Sequence, residues 1–273
     1  MGSDQAILRK IRIGQLHGGV LLAGTLSAID PNLELYNLPL LFRSHEEVDH
    51  LRARFDKILL ARLADHGYLA FGLIETGFVY LMSAESTRSF ADLKGRKTWV
   101  PEGDPIARSI ANAAGLSAVP LAISDVLTGL QTGLIDTVAA PPVGAVALQW
   151  FTKAKYVTDL PATYVYGAIL LGDRAFRGVS PEDQIVVREV LAEVSATLNR
   201  GSRQDNLRAR EALVKQGVSF VSPTQEARVR WREVAAEATN ELAKEQRYDP
   251  ELLSELQEYL QRYRAEQSSV PSE

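Results

Sequence analysis

Residues 89–142 read SFADLKGRKTWVPEGDPIARSIANAAGLSAVPLAISDVLTGLQTGLIDTVAAPP, and the order of signals in this stretch decides the fold. DLKG makes a turn, KTWVP (97–101) is a short strand-forming run, and Asp104-Pro105 opens a helix that ends at Gly115. An aspartate side chain accepts from the free N–H groups of a first helical turn, and proline is pre-set for the first helical position. AVPLA (118–122) is a second strand, Ser124-Asp125 starts a second helix closed by Gly133, and IDTVAA (135–140) is a third strand. Strands and helices alternate with short connections, which predicts a mostly parallel sheet wrapped by helices, an α/β fold.

Working outward, SHEEVDHLRARFDKILLARLADHG (44–67) has Ser44 and Glu47 in capping-box register, apolar Val48, Leu51, Phe55, Ile58, Leu59 and Leu63, and a closing Gly67, the marks of an amphipathic helix. YLAFGLIE (68–75) and FVYLMS (78–83) read as two strands, and the chain opens on a helix with Ser3 or Asp4 as its cap. Beyond YVYGAILL (164–171), a further strand, Ser180-Pro181-Glu182-Asp183 starts a helix that continues toward Gly217. At 1.5 Å per residue this helix is about 50 Å long, more than one small lobe can cover, so it is expected to lie along two lobes. VSFV (218–221) is a short strand, helices follow near 224–245 and 250–264, and residues 265–273 are expected to form a disordered tail.

Composition excludes several classes of function. With 273 residues, 46% of them hydrophobic, the chain can bury a substantial core as one large domain or two smaller ones. A formal net charge of -4 with no run of basic residues argues against a nucleic-acid partner. Without cysteine there is no disulfide framework, thiolate metal site or cysteine nucleophile. The longest uncharged run, residues 137–151, falls short of a membrane span and contains two prolines. His17, His45, His50 and His66 show no metal-ligand spacing. No dinucleotide or P-loop glycine motif and no nucleophile elbow occurs. The sequence therefore calls for no catalytic residue, metal or cofactor.

Taken in order, the DLKG turn, the helix end at Gly115, Val119 to Leu121 and the LQTG run ending at Asp136 resemble the signature region of substrate-binding proteins of tripartite ATP-independent periplasmic (TRAP) transporters, the DctP-type family. IRIGQL, LPLLF and Glu75 to Phe78 upstream, with YGAILL, SPEDQ and KQGVSFV downstream, fit the same order, so the resemblance covers residues 4–264. It implies a two-lobed periplasmic-binding-protein-like fold that closes like a hinge on a small organic ligand and delivers it to membrane permease subunits, with a periplasmic location. Residues 1–85 would form the first part of lobe I and residues 86–165 lobe II. Residues 166–264 would return to pack mainly on lobe I. The resemblance also implies that a strand, a helix and an export signal precede the family segment that MGSD begins, so the N-terminal strand and helix are expected to be missing from this chain.

At the position where such receptors carry an arginine for the ligand carboxylate, this chain has Trp99, and Ala139 and Ala140 stand where an acidic or amide group often precedes a proline. Both changes remove polarity from the expected cleft, so the ligand is expected not to be a simple four-carbon dicarboxylate. The expected ligand contacts are Trp99, Glu75, Phe78, Tyr80, Thr137, Ala140, Tyr164 and Tyr166. Each has a plainer role: a core tryptophan for Trp99, a hinge salt bridge for Glu75, hinge packing for Phe78 and Tyr80, and hydroxyls that meet only water for the two later tyrosines. Asp104 reads as a helix cap. The rival expectations are a cytoplasmic ligand sensor, or a transferase-like enzyme that closes over its substrate.

Overall fold

The computed structural model describes residues 3–269. Helix α1 (Asp4–Arg12), capped by the Ser3 hydroxyl, leads to strand β1 (Gly18–Leu22) and a single turn, α2 (Ala23–Leu26). A 3₁₀ segment (Pro31–Asn37) precedes α3 (His45–Asp65), whose first turn is capped by Ser44. Strands β2 (Tyr68–Leu69) and β3 (Leu73–Ser83) come next, followed by β4 (Lys97–Pro101), α4 (Pro105–Ala113), β5 (Ser117–Leu121), α5 (Val126–Thr132), β6 (Thr137–Ala140) and α6 (Pro142–Ala147). The chain returns through β7 (Tyr156–Thr158), β8 (Thr163–Gly172) and α7 (Asp173–Arg177) to the long helix α8 (Pro181–Lys215), and ends with β9 (Ser219–Val221), α9 (Gln225–Lys244) and α10 (Pro250–Ser269). Residues 265–269, expected in a disordered tail, are the last turns of α10, and the rest of that tail lies outside the described residues.

The main sheet has the order β1-β8-β3-β6-β4-β5. It is mixed, which corrects the expectation of a mostly parallel sheet. Strand β4 runs parallel to β5 and β6, and β7 to β9, whereas β1 and β3 pair with β8, and β6 and β7 with β3, antiparallel. The reason lies in β3 and β8, two long strands that run in opposite directions through the middle of the molecule. The two strands expected at 68–75 and 78–83 are, from Leu73 on, one strand: the register slips between Glu75 and Gly77, and Gly77 absorbs the bulge at φ 117. Pro120 is tolerated in β5 because that strand is the sheet edge.

This topology separates two lobes, each with its own core. The first gathers Leu21, Tyr36, Phe42, Phe55, Tyr164 and Tyr166 under α3 and α10. The second gathers Met82, Trp99, Val138, Ala140, Trp150 and Leu213. Helix α9 bridges them, since Leu242 belongs to the first core while Trp231 packs on Leu81 and Phe90 near the second.

Helix α8 spans both lobes, as its length requires. Near its start Arg188 lies over the ring of Phe71, between β2 and β3, at 5.1 Å, and near its end Leu213 is buried in the second core. In between it covers the edge of β3 that has no strand beside it. Asn199 accepts from the Glu75 amide at 2.7 Å and donates to the Leu73 carbonyl at 2.9 Å, and Asn206 Nδ2 donates to the Thr76 carbonyl at 2.8 Å. Side-chain amides thereby replace a ladder partner and block strand addition at the crossing point. Among the described residues β1 has β8 on one side and no strand on the other, and Val20 and Leu22 are exposed.

Candidate functional site

A cavity of about 140 Å³ lies where the two halves of the sheet meet. Its walls come from both: Asn37 ends the 3₁₀ segment of the first lobe and Pro39 lies just beyond it, Thr163 and Val165 lie on β8, Val79 and Leu81 on β3. Thr98 and Val100 on β4, Ala139 on β6, the Asp104 end of α4, and Trp231 on α9 close the other side. Alternation along the strands explains this set. Leu81 pairs with Ala139 and Thr98 with Thr137, so side chains of one parity face the cavity while Met82, Val138 and Ala140 face the second core.

The walls are apolar except at a few atoms. Thr98 Oγ1 and Asn37 Oδ1 are buried and have no hydrogen-bond partner. Among the described residues Asp104 is the only titratable one in the wall, and no lysine, arginine or histidine belongs to it. Its Oδ1 accepts from the Ala107 amide at 2.9 Å, the helix cap expected from the sequence, and burial pushes its carboxyl above the usual range against the pull of that backbone bond. A second groove, between the Leu38 to Leu41 segment, α9 and α10, is lined by Arg43, Arg232 and Arg264. It does not touch the crossing strands, and Arg264 there is committed to Glu47 at 2.7 Å and 2.8 Å. Among the described residues no group of three or more histidines and acidic residues is placed to hold a metal ion.

The residues singled out from the sequence divide into two groups. Trp99 is part of the cavity wall, but its ring packs into the second core. It stands edge-on to Trp150 with centroids 5.1 Å apart, and Nε1 donates to the Leu121 carbonyl at 3.0 Å. Ala140 and Thr137 sit beside it, Ala140 in the second core and Thr137 fully buried with its hydroxyl donating to Asp136 Oδ1 at 2.7 Å. Tyr80 packs between the two cores, and burial raises the pKa of its phenol. Glu75, Phe78, Tyr164 and Tyr166 lie in the first lobe, outside the cavity wall.

Glu75 anchors the crossing point. Its side chain is completely buried, and three residues converge on it. Arg203 of α8 donates from Nε to Oε1 at 2.7 Å and from Nη2 to Oε2 at 3.0 Å, Tyr164 Oη donates to Oε2 at 2.8 Å, and Arg52 of α3 approaches to 3.8 Å. The other edge of Arg203 meets both oxygens of Asp49 at 2.9 Å and 2.6 Å and holds that carboxyl below its ordinary range. The arrangement ties α3, β3, β8 and α8 together through a buried salt bridge on Glu75. Both tyrosine hydroxyls are likewise used internally, that of Tyr166 donating to the Leu33 carbonyl. Burial raises the Tyr164 phenol well above its ordinary pKa, against the nearby Arg52. His45, set aside from the sequence, packs on Phe78 at 4.9 Å with Nδ1 unpartnered, and burial with nearby Arg203 lowers its pKa.

Sequence reasoning missed Asn37, Thr98, Arg203 and Arg52. The need of a buried Glu75 for a cation was legible; which cation was not, since Arg203 lies on a helix more than a hundred residues away.

Two lobes crossed by paired strands, tied by one long helix and with a small cavity where they meet, are the architecture of proteins that hold a ligand between lobes. The chain belongs to the DctP family, bacterial extracellular solute-binding protein family 7, whose model matches residues 1–246. It is 24% identical over 247 residues to the C4-dicarboxylate-binding periplasmic protein DctP of Rhodobacter capsulatus, covering 88% of this chain and 73% of that one. It is 22% identical over 227 residues to the 2,3-diketo-L-gulonate-binding periplasmic protein YiaO of Escherichia coli K12, covering 81% and 68%. Its fold matches a TRAP periplasmic solute-binding protein of Xanthobacter autotrophicus Py2 with bound β-D-galacturonate, with a TM-score of 0.85 at 23% identity over 95% of this chain and 84% of that one. A second such protein, from Haemophilus influenzae with bound L-gulonate, matches with a TM-score of 0.86 at 17% identity over 96% and 84%.

Proposed function

We propose that this protein is the extracytoplasmic receptor of a TRAP-type transporter, which captures a small organic molecule between its lobes and passes it to the membrane permease subunits. Family membership over residues 1–246 supports the receptor role, and the observation that carries the reading of the ligand is the cation-free cavity at the lobe junction. The lobes divide near residues 85 and 165, the part after 165 returning along α8. A periplasmic location accords with relatives named as periplasmic. Among the described residues no helix is long and apolar enough to cross a membrane.

The relatives named above bind a dicarboxylate, a diketo-gulonate, a uronate and a gulonate, all organic acids. The cavity here presents no guanidinium to fork onto a carboxylate, and the one ionisable group in its wall is itself an acid. The ligand is therefore an organic molecule less acidic than a four-carbon dicarboxylate. Enclosure supplies the affinity: contacts made only in the closed form shift the lobes from open to closed.

A thermal-shift screen of a solute library against the purified chain tests this reading. A ligand at about a hundred times its dissociation constant stabilises by about 2.7 kcal/mol, a rise of roughly 5–11 °C for a chain of this size. Neutral or aromatic solutes are expected among the stabilisers. Stabilisation by succinate and other small dicarboxylates alone would refute the reading of the cleft.

A further inference from the structure

Three buried side-chain atoms among the described residues lack a hydrogen-bond partner, and two of them, Asn37 Oδ1 and Thr98 Oγ1, belong to residues of the same cavity wall. Thr98 is 5% exposed, so its hydroxyl cannot turn to bulk water. A buried polar atom left unpaired costs about 1–3 kcal/mol. Two such atoms on residues of one apolar cavity wall call for a partner that the cavity admits.

We propose that the cavity receives an uncharged molecule about the size of a single ring, carrying one hydroxyl or N–H group that donates to Asn37 Oδ1 and pairs with the Thr98 hydroxyl. This deepens the receptor reading above and rests on it.

Three observations fix the class. The first is volume: the cavity holds about 140 Å³, and an apolar protein cavity of roughly 150 Å³ accommodates benzene. The second is hydrogen-bond polarity. An amide oxygen only accepts, so the ligand must bring a hydrogen, while a threonine hydroxyl both gives and accepts. A carboxylate brings no hydrogen to Asn37 Oδ1 and would have to turn the amide round to meet a donor there. The third is charge. With no cation in the wall and an acid, Asp104, lining it, a buried anion would lose its hydration without a wall cation to pair with. A cation fares little better, because both backbone amides at the start of α4, those of Ile106 and Ala107, already draw on the Asp104 carboxyl. The flanks, Val79, Leu81, Val100, Ile106 and Trp231, offer only apolar surface and an indole.

The test uses four probes of one shape on the full chain at pH 7: phenol, toluene, benzoate and benzylamine, followed by protein-observed NMR titration. Phenol is expected to saturate with a dissociation constant at least tenfold below that of toluene, while benzoate and benzylamine leave the resonances of cavity residues unmoved. Thr98→Val and Asn37→Leu should each weaken phenol binding about fivefold to tenfold and leave toluene unchanged. Both variants are expected to stay folded, since each removes an unpaired polar atom, and the retained toluene binding reports that directly. Benzoate or benzylamine binding as tightly as phenol overturns the proposal. So does a phenol-to-toluene ratio that neither variant changes, which would mean that water alone satisfies the two atoms. Absence of saturation by all four probes also overturns it. In that last case the receptor reading is judged separately by the library screen, where an acidic ligand would keep the receptor and remove this cavity from its function.

Discussion

Glu75→Gln is the perturbation from which the hinge has most to lose. The glutamate side chain is wholly buried, and its two oxygens receive Arg203 Nε at 2.7 Å, Arg203 Nη2 at 3.0 Å and Tyr164 Oη at 2.8 Å. An amide keeps the shape but loses the charge, and it turns one acceptor into an NH₂ group that faces a donor. Breaking one side of a buried ion pair costs about 3–5 kcal/mol. The amide retains one oxygen and one bond, which puts Glu75→Gln near the lower end, about 3 kcal/mol, or roughly 6–12 °C in Tm at 2–4 °C per kcal/mol. Arg203→Met leaves the same buried carboxylate only Tyr164 and the more distant Arg52 and should cost about as much. The double variant should cost little more than either single one, because all that Arg203 then loses is its pairing with Asp49, which is 60% exposed and worth at most about 1 kcal/mol. Urea denaturation of the four chains measures the cycle. A Glu75→Gln chain within 0.5 kcal/mol of the parent, or single effects that simply add, would refute the role given to this cluster.

Other consequences follow from the same geometry. His45 has a pKa lowered from its ordinary 6.5 by burial and by Arg203. The unfolded chain thus binds a proton that the folded chain refuses, stability is lost as pH falls below about 6.5, and His45→Asn should flatten that slope in denaturation measured from pH 7.5 to 5. Asn199→Ala leaves the Glu75 amide on an uncovered strand edge and should cost about 2 kcal/mol by urea denaturation; a neutral result would mean that α8 does not protect β3. Trp99→Arg should destabilise by more than about 4 kcal/mol in the same assay without conferring succinate binding by calorimetry, because the side chain at this position packs against Trp150 in the second core. Succinate binding by that variant would show that position 99 governs ligand charge directly.

Residues 89–142 were legible because each helix carries its own punctuation. Asp104 caps α4 at 2.9 Å from the Ala107 amide, and Gly115 and Gly133 take the left-handed conformations, φ 63 and φ 71, that follow a helix end. The spanning helix was legible from length alone. Strand direction was not: nothing local distinguishes β3 and β8, which cross the molecule antiparallel, from the parallel β4, β5 and β6. Strand β1 escaped notice because its five residues begin with two glycines and carry little alternation. The family resemblance located Trp99 at the lobe junction, yet which way the indole turns depends on Trp150 and the Leu121 carbonyl, contacts made only in the folded chain. The unpaired state of Thr98 and Asn37 is likewise a property of the assembled cavity, and no sequence pattern encodes it.

The most direct test of the account is the distance between the lobes with and without ligand. The chain has no cysteine, so spin labels on cysteines introduced at Lys57 of α3 and Gln131 of α5, both exposed, report one distance by double electron–electron resonance. With a solute from the thermal-shift screen at saturation, the broad distance distribution of the free protein should collapse to a shorter, narrower one. A distribution that the bound solute leaves unchanged would contradict capture by closure between two lobes.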